Sequence, residues 1–301
     1  MRIIKYFFVS SLFVVLVWFF SIYWFTWLFQ AEEIDARDLQ YWDYKDWIIE
    51  WWEKIEFEWS KDSCWLMLHW YTSVPNEYYD LAKKVNNKFW DYVFVPRLKW
   101  HWKTPSKLAD LDLFDWYEQA RWYYSSISKD CKKVNLVWFS FGWNLAMRLA
   151  QNPYDNLDWL YLLAPYLKAR FFNFDYLPID YFDYISWQLN YWKKINIAQI
   201  NKDSWKEEHI AYWNFPFSPI INSHEFVDNT RKGLDKIEVP TLIQHSYSDR
   251  TVDIQWSYYI YEQISSEKKD FIKYTDSNHI LLRDYDKKDV MNEIIEFYNN
   301  L

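Results

Sequence analysis

Two glycines in 301 residues leave this chain almost no position able to turn freely through the left-handed backbone region. Average usage of about 7% would supply roughly 21. The same chain carries 23 tryptophans, a residue normally among the rarest. The two counts look interchanged. Tryptophan also falls where turn chemistry wants glycine, as in His69-Trp70-Tyr71-Thr72, Lys88-Phe89-Trp90-Asp91 and Lys99-Trp100-His101-Trp102. UGA is read as tryptophan in some variant codes and as glycine in others. A gene that uses UGA for glycine, translated with a tryptophan table, gives this pattern. Glycine is therefore expected at 70, 90, 100, 102, 138, 143 and 256. Trp116, inside a helical pattern, and Trp24 and Trp27, inside an apolar span, are expected to be tryptophan. The alternative is a truly Trp-rich, Gly-poor protein.

The stretch that organises the chain is 134–149. Val134 to Val137 has the pattern of a short buried strand, and Asn144 to Ala150 that of the start of a helix. Ser140 lies between them, with Gly142 two places after it and Trp138 two places before. With glycine at 138 the segment becomes G-x-S-x-G, the sharp strand-to-helix turn that lifts a serine hydroxyl clear of a sheet.

Length and charge narrow the remaining choices. About 300 residues suit one large α/β domain. The net charge of −8 and the absence of a basic stripe argue against nucleic acid as a partner. Two cysteines cannot build a disulfide scaffold or a Cys-rich metal site.

Tyr6 to Phe29 carries no charged residue and is long enough to cross a bilayer as a helix. Arg2 and Lys5 precede it; Glu32, Glu33 and Asp35 follow. The positive-inside rule then leaves the N-terminus in the cytoplasm and the rest of the chain outside. A cleaved signal peptide is the rival, with a weak site near Ala31. The expected organisation is a membrane anchor or signal segment over 1–30, a charged lead-in over 31–54, and a catalytic domain over 55–301.

Beyond the lead-in, strands and helices alternate. Ile55 to Glu58 has the period of an edge strand, Cys64 to His69 and Tyr92 to Pro96 of buried strands, and Leu160 to Ala164 of a further one. Glu77 to Phe89 and Leu113 to Ser126 have helical spacing. Such alternation implies a mostly parallel sheet with helices on both faces.

Here the chain resembles the α/β-hydrolase superfamily, in its bacterial carboxylesterase and monoacylglycerol-lipase-like branch. With Trp read as Gly, residues 68–73 resemble the family's His-Gly turn, residues 96–102 its P-x-x-x-G-H-G segment, and residues 138–143 its elbow. Residues 239–253 resemble the strand and loop that carry the acid. Residues 277–284 (Ser-Asn-His-Ile-Leu-Leu-Arg-Asp) resemble the loop that carries the histidine. The resemblance covers about 55–301, in the family's order.

It implies a Ser-His-Asp triad: Ser140 as nucleophile, His279 as base, and Asp249 as the acid that fixes the histidine's tautomer. Asp253 is the local rival for the acid. Backbone N–H groups of Tyr71 and Phe141 would hold the oxyanion. His69 and His101 fall in segments that support loops in this family. His209, His224 and His245 carry no motif and are expected to be structural or surface residues. Residues 166–235, rich in aromatics, would form a cap over the site, or else ordinary core helices. Cys64 and Cys131 precede strands that are neighbours in this superfamily; a bond and two buried thiols are both open.

The expected function is hydrolysis of carboxylic esters, of short or medium chain length or monoacylglycerols, through an acyl-enzyme. No metal or organic cofactor is implied. Peptidase, amidase or thioesterase chemistry on the same triad, and a catalytically inactive anchored binding protein, are the alternatives.

Overall fold

The computed structural model describes residues 16–21, 23–24, 27, 30–39, 44–45, 48–49, 52–69, 71–101, 104–167, 190–193, 199–206, 210–216 and 218–300. Trp70, Trp102, His209, most of the span Tyr6–Phe29 and much of the expected cap lie outside them.

A seven-stranded sheet forms the centre. Its strands in chain order are β1 (Ile55–Phe57), β2 (Ser60–Leu68), β3 (Asp91–Val95), β4 (Lys133–Phe139), β5 (Leu157–Leu163), β6 (Thr241–Ser246) and β7 (Lys269–Tyr274). They lie side by side as β7-β6-β5-β4-β2-β3-β1. Every pairing is parallel except that of β1 with β3, so β1 is an antiparallel edge as its alternation foretold. A parallel sheet covered on both faces needs strands apolar on both sides. β2 shows this: Cys64, Leu66 and Leu68 join one buried cluster, and Trp65 and Met67 the other.

The longer helices among the described residues are α1 (Tyr79–Phe89), α2 (Leu113–Asp130), α3 (Trp143–Ala150), α4 (His224–Lys232), α5 (Gln255–Gln263) and α6 (Lys287–Asn299). α2 starts where its sequence says. The Asp112 carboxylate accepts from the Phe114 and Asp115 N–H groups, and Asp115 accepts from the Asp112 N–H in return, a complete capping box. α1 stops at Trp90, whose backbone turns left-handed at φ 60° and ψ 29°. Trp100 does the same at φ 66°. Helices commonly end on such a residue, and it is usually glycine. Both positions were expected to be glycine.

Cys64 and Cys131 form a disulfide with Cα atoms 6.1 Å apart, tying β2 to the turn between α2 and β4. The open alternative is thereby decided for the bond.

Among the described residues no helix is long and apolar enough to cross a membrane, so the anchor over 1–30 gains no support from the fold. The lead-in touches the domain, as does Gln30 just before it. Gln30 bridges Trp192, the Ser106 N–H donates to Glu33, and the Trp213 N–H donates to Asp38. The described part of 166–235 holds a short antiparallel hairpin, Tyr191–Lys193 with Asn214–Pro216, and α4. Its strands form a two-stranded sheet separate from the central one.

Candidate active site

β4 delivers Ser140. The strand ends at Phe139, a single 3-10 turn spans Ser140–Gly142, and α3 begins at once. A turn this abrupt forces Ser140 to φ 56°, a conformation L-residues rarely adopt. The strain raises the hydroxyl above the C-terminal edge of the sheet.

The loop after β7 brings His279 to it. The Ser140 Oγ lies 2.6 Å from His279 Nε2, and His279 Nδ1 lies 2.7 Å from Asp249 Oδ2. Asp249 sits just beyond β6. Its other oxygen accepts from the Thr251 and Val252 N–H groups at 2.7 and 2.8 Å. An ionised carboxylate only accepts, so Nδ1 of His279 carries the proton and Nε2 is left to take one from Ser140. All three side chains are buried. Burial is the largest influence on Asp249 and raises its proton affinity. The charge of His279 and the hydrogen bonds from His245 and His279 together outweigh it, holding the carboxyl well below the usual carboxylate range. Asp253, the rival acid, instead accepts from the Gln255 N–H at the start of α5.

Asp284 shapes the histidine loop. One oxygen accepts from the Asn201 and Asn278 N–H groups, and the other from Lys202 and Tyr285. The loop is thereby tied to residues 199–202, as it is by the Ile280 N–H donating to Gln199.

The two residues expected to bind an oxyanion flank the serine's end of the sheet. Phe141 lies in the turn that leads into α3, where a helix N-terminus favours negative charge. Tyr71 follows β2, the neighbour of β4. Its phenol donates to the Pro216 carbonyl at 2.6 Å, and burial pushes that phenol well above its ordinary range, so it stays a neutral donor. His101 Nε2 donates to the Tyr71 carbonyl at 2.8 Å, and His69 Nε2 accepts from the Leu98 N–H at 3.1 Å. Both histidines support loops, as expected. Burial pushes the His101 imidazole down to about 4.

Of the two roles expected for His245, structural or surface, it takes the structural one: it is fully buried and its Nε2 lies 2.9 Å from Asp249 Oδ2. The available signal was a histidine inside an all-buried strand, four residues before the acid. His224 is exposed, as expected. The Trp138 indole is wholly buried, pressed against the elbow residue that lacks a side chain. A Cβ on Gly142 would lie 1.8 Å from Trp138 Nε1. No group of His, Cys, Asp and Glu able to hold a metal occurs among the described residues.

A buried serine, histidine and carboxylate in this chain order, on the C-terminal edge of a parallel sheet, decide the architecture. The fold is that of the α/β hydrolases. No family model matches the chain. It is 24% identical over 237 residues to a thermostable monoacylglycerol lipase of Bacillus sp. (strain H-257), covering 77% of this chain and 89% of that one. It is 19% identical over 243 residues to a carboxylesterase of Bacillus subtilis (strain 168), covering 80% and 94%. Among solved structures, a metagenome-derived lipolytic enzyme superposes with a TM-score of 0.75 at 19% identity, over 84% of this chain and all of that one. A monoacylglycerol lipase of Paleococcus ferrophilus gives 0.68 at 13% identity, over 81% and 96%. These relatives of the α/β-hydrolase chain are ester-cleaving enzymes.

Proposed function

We propose that the protein is a serine hydrolase that cleaves carboxylic esters through an acyl-enzyme. The observation that carries this reading is the buried chain Ser140–His279–Asp249, with links of 2.6 and 2.7 Å. His279 takes the Ser140 proton as the hydroxyl attacks the ester carbonyl. Asp249 stabilises the imidazolium that forms. The tetrahedral oxyanion is met by the Tyr71 and Phe141 backbone N–H groups, and His279 returns its proton to the leaving alcohol. Water, activated by the same histidine, then releases the acid. Monoacylglycerols and short- or medium-chain esters are the proposed substrates, in keeping with the names of the relatives. Hydrolysis of nitrophenyl esters of graded chain length tests this. Activity on esters and none on matched amides or thioesters is expected; a preference for amides or thioesters would overturn the ester assignment.

The reading extends to the sequence itself. Glycine in the working protein at 90, 100 and 138 is supported by the left-handed backbones of Trp90 and Trp100 and by the buried Trp138 Nε1, which has no hydrogen-bond partner. An unsatisfied buried donor costs about 1–3 kcal/mol. At 70, 102, 143 and 256 the proposal rests on sequence. Peptide masses of the natural protein read these residues directly; tryptophan masses at 90 and 138 in an active enzyme would end the proposal. Placement on the outer side of a membrane is likewise proposed, on the uncharged run Tyr6–Phe29 and the disulfide, since such bonds persist in oxidising compartments.

A further inference from the structure

The catalytic carboxylate has a second histidine behind it. His245 lies in the last turn of side chains along β6, fully buried, and reaches across to Asp249 Oδ2 with Nε2 at 2.9 Å. Its Nδ1 lies 2.6 Å from the hydroxyl of Ser257, buried in the first turn of α5. Asp249 therefore receives two histidine donors on one oxygen and two backbone donors on the other. An ionised carboxylate offers about four lone-pair sites, and these four donors match them. The carboxylate cannot rotate about its own axis without breaking a bond on each oxygen.

We propose that His245 is a positioning residue for the acid of the triad. It acts through Asp249 and does not touch the substrate. Because the carboxylate only accepts, His245 carries a proton on Nε2, and in the neutral ring the Ser257 hydroxyl donates to Nδ1 and fixes that tautomer. The relay then runs Ser257 to His245 to Asp249 to His279, with every donor pointing toward the acid. Its effect is on the chemical step. When His279 gains a proton, Asp249 must face Nδ1 squarely, and small misplacements of a catalytic group are costly. Substrate binding is not touched, so KM should hold while kcat falls.

This inference rests on the serine-hydrolase reading, and the experiment separates the two. Fluorophosphonate labelling of Ser140 in the unaltered protein tests the reading alone. His245→Leu keeps bulk and removes the donor; His245→Gln keeps an N–H at comparable reach. For ester hydrolysis, His245→Leu should lower kcat about 10- to 100-fold, the range seen when a partner that orients a metal-bound histidine is lost. KM should change less than about twofold, and His245→Gln should recover most of the loss. Ser257→Ala, a smaller change, should lower kcat a few-fold at constant KM, and it keeps the test open if His245→Leu fails to fold. Unaltered kcat in both His245→Leu and Ser257→Ala would overturn the proposal. So would a Gln variant no better than Leu, with KM and thermal midpoint falling alongside kcat, which is the mark of a packing role.

Discussion

At Trp90 two effects of similar size compete. Its left-handed backbone costs an L-residue about 1–2 kcal/mol relative to glycine. Its exposed ring meets Trp59 edge-on at 4.7 Å, a contact of about 0.5–1.5 kcal/mol. Alanine removes the contact and keeps the strain; glycine removes both. Trp90→Gly should therefore be more stable than Trp90→Ala by about 1 kcal/mol in denaturant unfolding, and the reverse order would contradict the backbone argument. Other indoles have the company a tryptophan needs. Trp65 donates to Asp91 at 2.9 Å and stacks on Tyr161, and Trp116 is buried beside Tyr71 and His101. Trp52, Trp138 and Trp159 are buried with unpaired indole nitrogens. At the site itself, Ser140→Ala and His279→Ala should abolish ester hydrolysis with the fold intact by circular dichroism. Asp249→Asn should lower kcat about 10⁴-fold, since the wrong tautomer is then favoured at His279. Near-normal activity in Asp249→Asn would move the acid elsewhere. That Ser140, His279 and Asp249 come together was legible because each falls in a motif with fixed order. The role of His245 was not, because the i,i+4 spacing to Asp249 does not say which way its ring faces, and its second partner, Ser257, lies on α5.

Among the elements, buried parallel strands were legible as apolar runs, and their ends were not. β2 begins at Ser60 rather than Cys64 because its first residues are polar and exposed while still paired in the sheet. α2 runs on to Asp130 through a polar run because Ile127 continues its buried stripe. The left-handed stop of α1 at Trp90 was legible only once tryptophan was read as glycine. Two element-level outcomes follow from the bonds found. Reducing the Cys64–Cys131 disulfide frees a long chain loop and should cost about 2–4 kcal/mol of stability, read as a lower thermal midpoint with reductant. His101 links the turn after β3 to the loop after β2 and is held neutral by burial down to about 4. The unfolded imidazole, near 6.5, takes up a proton first. Its contribution is thus full above about 6.5 and lost as pH falls toward about 4, with a slope of up to about 1.4 kcal/mol per pH unit. His101→Gln should flatten the fall of the thermal midpoint between pH 6.5 and 4; an unchanged slope would assign it to other groups.

Across the whole molecule, the sheet and Ser140, Asp249 and His279 lie beyond residue 54, yet the strap over 30–38 binds Trp192 and Trp213, at the small antiparallel pair, and the turn at Ser106. Removing residues 1–29 should leave a folded, active esterase. Extending the deletion through Asp38 should raise KM and lower the thermal midpoint, because the small antiparallel pair and the turn at Ser106 lose their ties; equal behaviour of the two truncations would show the strap to be dispensable. The central claim is that Ser140 is the nucleophile of an ester hydrolase. Its most direct test is mass spectrometry of the folded protein after treatment with a fluorophosphonate, reading the peptide Val134–Arg148. The account predicts one adduct, on Ser140, absent in Ser140→Ala and formed in step with the loss of ester hydrolysis. Esterase activity that survives with Ser140 unlabelled, or an adduct on a different residue, would contradict it.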